Sequence, residues 1–378
     1  MDVHSTNYTL CALDTSGLED RILGSVVTVE PDVKNILKFI EKLKSKYGKE
    51  DELEFRTAYE AGCVGYSLYT QLKDADIECV IMAPTTMMVE RGLRQKTDKK
   101  DAELIAKCLA YGTYKPVYVL TREDAEVKEY VRMRDDHRTA LKKIKQQILA
   151  LCLRYGCKYP SGKSKWSQVH LAYIKSLDLT PGTKETLNEY MHTFTWLTDK
   201  IEVLDTRILE FANQERYVEK VKKLICFKGI KEHTALALLS EIGDFNRFKS
   251  ADKFMSVLGL VPLQESSGEK IKVNGISKAG NSHLRRLTVE AAQAYNKGSL
   301  VKSKAIKSRQ VGASPEVIAY ADKGSERLKR KYTRLIARGV DKNKAITAVA
   351  RELAGFIWGM MTENYTRNEK VNSDPLAL

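Results

Sequence analysis

Phe55-Arg56-Thr57-Ala58-Tyr59-Glu60 is a short strand-like run that stops at Ala61-Gly62, and the fold class of the N-terminal part turns on it. Downstream, the pattern predicts a helix over Tyr66–Asp74, a strand over Ile77–Ala83, a helix over Asp101–Ala110 and a strand over Val117–Leu120. Upstream, Asn7–Asp14 and Ile22–Glu30 are rich in Thr, Val, Ile and Tyr and read as strands. Between them and the quoted run, Asp32–Tyr47 places Ile36, Phe39, Ile40 and Leu43 on one face of a helix. Two strands in succession, followed by alternating helices and strands, predict an α/β domain: a mixed sheet flanked by helices.

From residue 126 the rhythm changes. Leu141, Ile144, Ile148 and Leu151 recur at helical spacing, and Leu187, Tyr190, Phe194, Leu197, Ile201, Leu204, Ile208 and Phe211 keep an a/d seam. Long helices are expected there, pairing within the chain or between subunits, with turns at Lys158–Lys165 and Thr180–Gly182. Helices then follow at Thr234–Ile242, Ser250–Leu258, Lys278–Ala294 and Arg338–Met361, and Gln264–Ser277 reads as a polar loop. The expected domains are 1–125 (mixed α/β), 126–215 (coiled helices), 216–363 (mainly helical) and 364–378 (a polar tail).

The chain has 378 residues, 43% hydrophobic and 30% charged, a globular composition. The apolar run Ala345–Met361 is broken by Arg351 and Glu352, short of the roughly 20 apolar residues of a spanning helix, so no membrane partner is expected. Met1-Asp2-Val3-His4 lacks the features of a signal peptide, which predicts a cytoplasmic protein. The seven cysteines form no Cys-x-x-Cys pair, which argues against a zinc ribbon. The net charge is +14, and Lys270–Ala345 alone holds 19 basic and 5 acidic residues, leaving 44 of each sign elsewhere. A neutral body with one basic segment is the footprint of a nucleic-acid binder; a solvated basic surface, or contact with an acidic protein or a membrane, is the plainer alternative.

Four acids stand out. Asp2 precedes the first strand pattern, Glu60 ends the quoted strand, and Asp98 and Asp101 sit three apart at the mouth of a helix. Carboxylates at strand ends and one helix start can bind two hard cations for phosphoryl transfer. Each also has a structural reading: Asp98 as a helix cap, Asp101 at the positive helix end, Glu60 as a surface acid.

Tyr59-Glu60-Ala61-Gly62, followed by Gly92-Leu93-Arg94-Gln95-Lys96-Thr97-Asp98-Lys99-Lys100-Asp101-Ala102, resembles the DEDD transposases of the IS one-ten group of bacterial insertion sequences. The resemblance implies a RuvC-like (ribonuclease H-like) N-terminal domain with Asp2, Glu60, Asp98 and Asp101 as ligands of Mg²⁺, two ions in all. Only Met1 precedes Asp2, where the family has several residues, so either Met1 is an internal methionine or half of a central strand is lost, and a frayed first strand would loosen Asp2. In the C-terminal half, Lys228-Gly229-Ile230-Lys231, Leu258-Gly259-Leu260-Val261-Pro262 and Gly275-Ile276-Ser277-Lys278-Ala279-Gly280-Asn281-Ser282-His283-Leu284-Arg285-Arg286 resemble the same family's transposase domain. That domain implies a helix-hairpin-helix-like element, a nucleophilic serine matching Ser267, a bridge RNA as guide, and DNA as donor and target. It also implies a dimer or tetramer in which the serine of one protomer completes the metal site of another.

A serine hydroxyl needs help to attack phosphate, and nothing local in sequence is an obvious base. Lys270, Lys272, Lys278, Arg285 and Arg286 are candidate phosphate contacts, and Arg327, Lys329, Arg330, Lys331 and Arg334 a candidate nucleic-acid track. His283-Leu284-Arg285-Arg286 with Tyr295 mimics the His-x-x-Arg spacing of tyrosine recombinases and is read as coincidence. The function expected is a DNA transposase acting through a covalent phosphoserine. The alternatives are a metal-dependent junction nuclease using water and a nucleic-acid-binding relic without catalysis.

Overall fold

The computed structural model describes residues 1–17, 19–48, 53–62, 64–87, 97–160, 163–267, 270–296 and 301–365, with backbone only for Thr85 and residues 264–274. Gly92–Lys96 of the N-terminal motif, Ser161-Gly162 and residues 366–378 of the expected tail lie outside the described residues. The chain divides into two compact units, Met1–Val119 and Leu120–Leu378. Mixed α/β structure is confined mainly to the first; the second is helical with one hairpin.

In the first unit, β1 (Asp2–Val3), β2 (Tyr8–Leu10), β3 (Leu13–Asp14), β4 (Arg21–Ile22) and β5 (Val27–Val29) precede α1 (Val33–Tyr47). The two long strands expected here are each split into two short ones. β1, β2 and β5 form an antiparallel sheet in that order, with Asp2 opposite Thr9 and Thr9 opposite Thr28. Asp32 caps α1, its carboxylate accepting from the Lys34 N–H at 2.8 Å, and Ile36, Ile40 and Leu43 are buried.

β6 (Arg56–Glu60), α2 (Ser67–Asp74) and β7 (Glu78–Met82) follow as a strand–helix–strand unit, with β6 and β7 parallel and Glu60 opposite Met82. The Met1 ammonium donates to the Ala58 carbonyl at 2.8 Å, which lays β1 against β6. Met1 and Asp2 are buried, so the two-residue strand is pinned rather than frayed. The strand expected at Val117–Leu120 is reduced to a single bridge between Met82 and Pro116.

α3 (Asp98–Tyr111) packs over β1, β2 and β6. Its cap is Thr97, so the helix begins three residues earlier than its apolar pattern suggested and takes in both Asp98 and Asp101.

The second unit opens with α4 (Arg122–Arg154), α5 (Gln168–Ser176) and α6 (Pro181–Ala212). α4 and α6 pack against each other, and Leu187, Phe194, Leu197, Leu204 and Ile208 of the seam are buried. The seam therefore finds a partner within the chain.

Then come α7 (Glu215–Leu224), α8 (Glu232–Ile242), α9 (Ala251–Val257), a hairpin of β8 (Pro262–Ser267) and β9 (Lys270–Ile276), α10 (Ser282–Ala292), α11 (Lys304–Arg309), α12 (Pro315–Ala337) and α13 (Lys342–Met361). The polar loop expected at Gln264–Ser277 is thus a hairpin, and α10 starts at Ser282 because Lys278–Asn281 forms the turn leading into it. The largest core belongs to this unit, around Phe227, Phe254, Leu353, Phe356 and Ile357. Among the described residues, no helix is long and apolar enough to cross a membrane.

Candidate functional site

Alternation along an extended chain puts Asp2 and His4 on one side. His4 Nε2 lies 3.2 Å from Asp2 Oδ2. The first turn of α3 brings Asp98 to the same place: one ligand atom each from Asp2, His4 and Asp98 lie within 4.8 Å of one another. Asp98 and Asp101 both lie in the first turn of α3, at the end of the helix dipole that favours negative charge.

Asp101 lies on the same helix face one turn on. Glu60 ends β6, partly buried and beside Ala61, whose N–H bonds the Met82 carbonyl at 2.9 Å. Neither Glu60 nor Asp101 is in the 4.8 Å group. Of the four expected acids, the structure gathers two and adds His4. The signal for His4 was its place two residues after Asp2 in an extended segment, easily passed over for a lone histidine. Two carboxylates and an imidazole nitrogen at this separation are a donor set that fits a divalent cation.

Ser267 is the last residue of β8 and pairs with Lys270; Ser266 pairs with Ile271. The hairpin foot is locked by backbone bonds from Ser277 N to Val261 O (2.9 Å), Lys278 N to Gly259 O (3.2 Å) and Asn281 N to Val257 O (2.8 Å). Gly259 and Gly280 both have positive φ, and a Cβ at either would fall 2.2 Å from a carbonyl oxygen, of Ala279 and Val257 respectively. The glycines of both motifs therefore serve close backbone crossing. At the expected helix-hairpin-helix, Gly229 (φ 91) sits in the α7–α8 turn, where a Cβ would meet the Ala291 carbonyl at 2.1 Å.

Behind the hairpin foot lies a charged network that sequence reasoning missed, because its members are scattered over four helices. Glu241 of α8 accepts from Asn281 (2.6 Å), from Arg132 at both oxygens (3.1 and 2.7 Å) and meets His283 Nδ1 at 2.5 Å. Asp135 of α4 meets His283 Nε2 at 2.8 Å and His233 Nε2 at 3.0 Å, and accepts from Arg134 and Arg286. Arg134 also forks onto Asp205 of α6.

Burial alone would raise the Glu241 carboxyl, but bonds from His283, Arg132 and Asn281 outweigh it and hold the group at about 2. Burial likewise opposes charge on His283, yet Asp135 and Glu241 push its pKa up to about 9. His283 is thus a structural cation, and Tyr295, 1% exposed, is sealed in the core, which removes the resemblance to a tyrosine recombinase.

The expected phosphate contacts divide. Arg286 is engaged by Asp135 and Glu290, Arg327 and Lys331 by Glu352, and Arg330 by Glu326. Arg285 donates to the Leu258 carbonyl at 3.0 Å, and Lys329 to that of Asn296 at 3.4 Å. Lys278 and Arg334 are exposed. The side chains of Lys270 and Lys272 lie outside the described residues.

Comparison with known proteins finds two family matches on the chain. Residues 1–156 match the family model of DEDD transposases of the IS110 type, and residues 221–304 match the model described as Transposase IS116/IS110/IS902 family. A protein of Sinorhizobium fredii designated transposase y4qE is 34% identical over 81% of this chain and 75% of its own length. The transposase for insertion sequence element IS1533 of Leptospira borgpetersenii is 30% identical over 89% of this chain and 95% of its own. The transposase for insertion sequence element IS1111A of Coxiella burnetii is 29% identical, over 72% and 68% respectively.

Proposed function

The chain belongs to the IS116/IS110/IS902 family of insertion-sequence transposases, and from that premise we propose that it cuts and exchanges DNA strands at a divalent-metal centre, with Ser267 as nucleophile. The observation that carries the reading is the meeting of Asp2 and Asp98, from distant stretches, with His4 beside them. A ribonuclease H-like arrangement of the first unit is supported by β1 lying between β2 and β6, with β6 and β7 parallel and an acid-bearing helix across them.

Asp2, His4 and Asp98 would hold the cation; that Glu60 and Asp101, which stand outside that group, serve a second ion belongs to the same proposal. When bound, Mg²⁺ neutralises charge on the phosphate under attack. Ser267 Oγ adds to the phosphorus of a DNA backbone phosphodiester and loses its proton, and the bond to one sugar oxygen breaks, leaving that oxygen to take up a proton. Attack by a sugar hydroxyl of another strand on the phosphoserine joins the strands and frees Ser267. A guide RNA held on the basic segment, and a homo-oligomer of two or four protomers sharing metal and serine, belong to the same proposal.

The test is denaturing electrophoresis of the protein incubated with DNA carrying an element end. A covalent protein–DNA species is expected with Mg²⁺, absent with Ser267→Ala and with Asp98→Ala. DNA cleavage that survives Ser267→Ala would replace this reading with a water-using nuclease. Sequencing RNA that copurifies with the protein tests the guide.

A further inference from the structure

Several cations of the basic segment are neutralised inside the second unit, but three that carry no ion pair among the described residues gather at one place. Lys278, Lys344 and Arg351 line a groove of about 710 Å³ between the foot of the β8–β9 hairpin, the end of α12 and the first turns of α13. Lys331 adds a fourth positive group, tied to Glu352 at 2.9 Å. The acid on this wall, Asp341, points its Oδ1 at the backbone N–H groups of Asn343 (2.9 Å) and Lys344 (3.1 Å), so its charge is used in capping α13. The floor is apolar: Leu260, Pro262, Ile276, Leu335 and Val340.

The volume falls within the roughly 300–1,000 Å³ of sites that enclose small organic groups. A cationic rim over an apolar floor suits an anion with an apolar body attached. A nucleotide has that form, with phosphate on one side and a base face on the other. Duplex DNA presents its phosphates outward and keeps its base faces stacked, so it would engage the rim and leave the floor in water. An unpaired strand can use both.

We infer that this groove takes a single-stranded segment of nucleic acid, its phosphates on Lys278, Lys344 and Arg351 and its base faces on the apolar floor. The inference rests on the nucleic-acid reading above and adds where an opened strand is held: at the foot of the hairpin whose tip carries Ser267. Strand exchange requires such opened strands, and a site beside the hairpin would keep one from re-annealing.

Fluorescence anisotropy on the full chain tests this, using labelled single-stranded DNA, single-stranded RNA and duplex DNA of one mixed sequence. A chelator is present throughout, so that binding is read independently of the metal centre. The double variant Lys344→Glu/Arg351→Glu should weaken single-strand binding at least about tenfold, and the loss should exceed that for duplex. Val340→Trp, which fills the floor without altering charge, should weaken single-strand binding and leave duplex binding alone. Lys278→Glu, on a different element, repeats the charge test independently of α13. The relative losses for DNA and RNA identify which strand the groove serves. Unchanged single-strand affinity in these variants, or equal losses for duplex and single strands, overturns the inference. Strand binding by a chain that never cuts DNA would end the catalytic reading and leave the groove standing.

Discussion

His4 contributes an imidazole nitrogen to a group otherwise made of carboxylates, and nitrogen ligands favour Mn²⁺ over Mg²⁺ more than oxygen ligands do. His4→Ala should therefore lower Mn²⁺ affinity about tenfold or more, with a smaller loss for Mg²⁺, as isothermal calorimetry would show. In the second unit, the buried charges make the pH dependence directional. His283, raised to about 9 from 6.5, stabilises the fold fully below pH 6.5 and loses that contribution as pH climbs through about 9. Glu241, lowered to about 2 from 4.5, contributes fully above pH 4.5 and loses it as pH falls through about 2. Resistance to urea should peak between those windows and decline towards pH 9, and His283→Gln should flatten the alkaline decline. Glu241→Ala, which leaves His283 and Arg132 facing a void, should cost about 3–5 kcal/mol in the same titration.

At the level of elements, the crossing of Gly259 and Gly280 at the hairpin foot tolerates no side chain. Gly280→Ala should destabilise the second unit by about 2 kcal/mol or more, seen as a lower melting temperature. Leu204→Ala in the α4–α6 seam should cost about 2–5 kcal/mol by the same measurement. The seam was readable because eight apolar residues held one helical rhythm, whereas its partner was not: periodicity shows a face and leaves open what covers it. The β8–β9 hairpin escaped notice because Gln264, Glu265, Ser266 and Ser267 lack the β-branched residues that mark strands. α3 was found but started late, since Asp98 to Asp101 carry its cap and first-turn charges rather than its apolar stripe. Asp2 and Asp98 could be picked out as acids at element ends; their meeting depends on β1 lying under α3, a tertiary fact that no local pattern encodes.

For the molecule as a whole, each unit has its own apolar interior: Tyr59, Ile36, Leu68 and Leu72 in the first, Phe227, Phe254 and Phe356 in the second. A fragment beginning at Leu120 should therefore unfold cooperatively by itself in a circular-dichroism melt, and a featureless transition would show that it depends on the first unit. The joining of Asp2 to Asp98 has a further consequence for synthesis. A ribosome partway through the message holds Asp2 with no α3 to meet it, so the candidate cation site stays incomplete until that helix has emerged and docked. Ser267 emerges later still, so on the proposed mechanism the truncated products of interrupted translation would lack the nucleophile needed to nick the chromosome of the cell that made them.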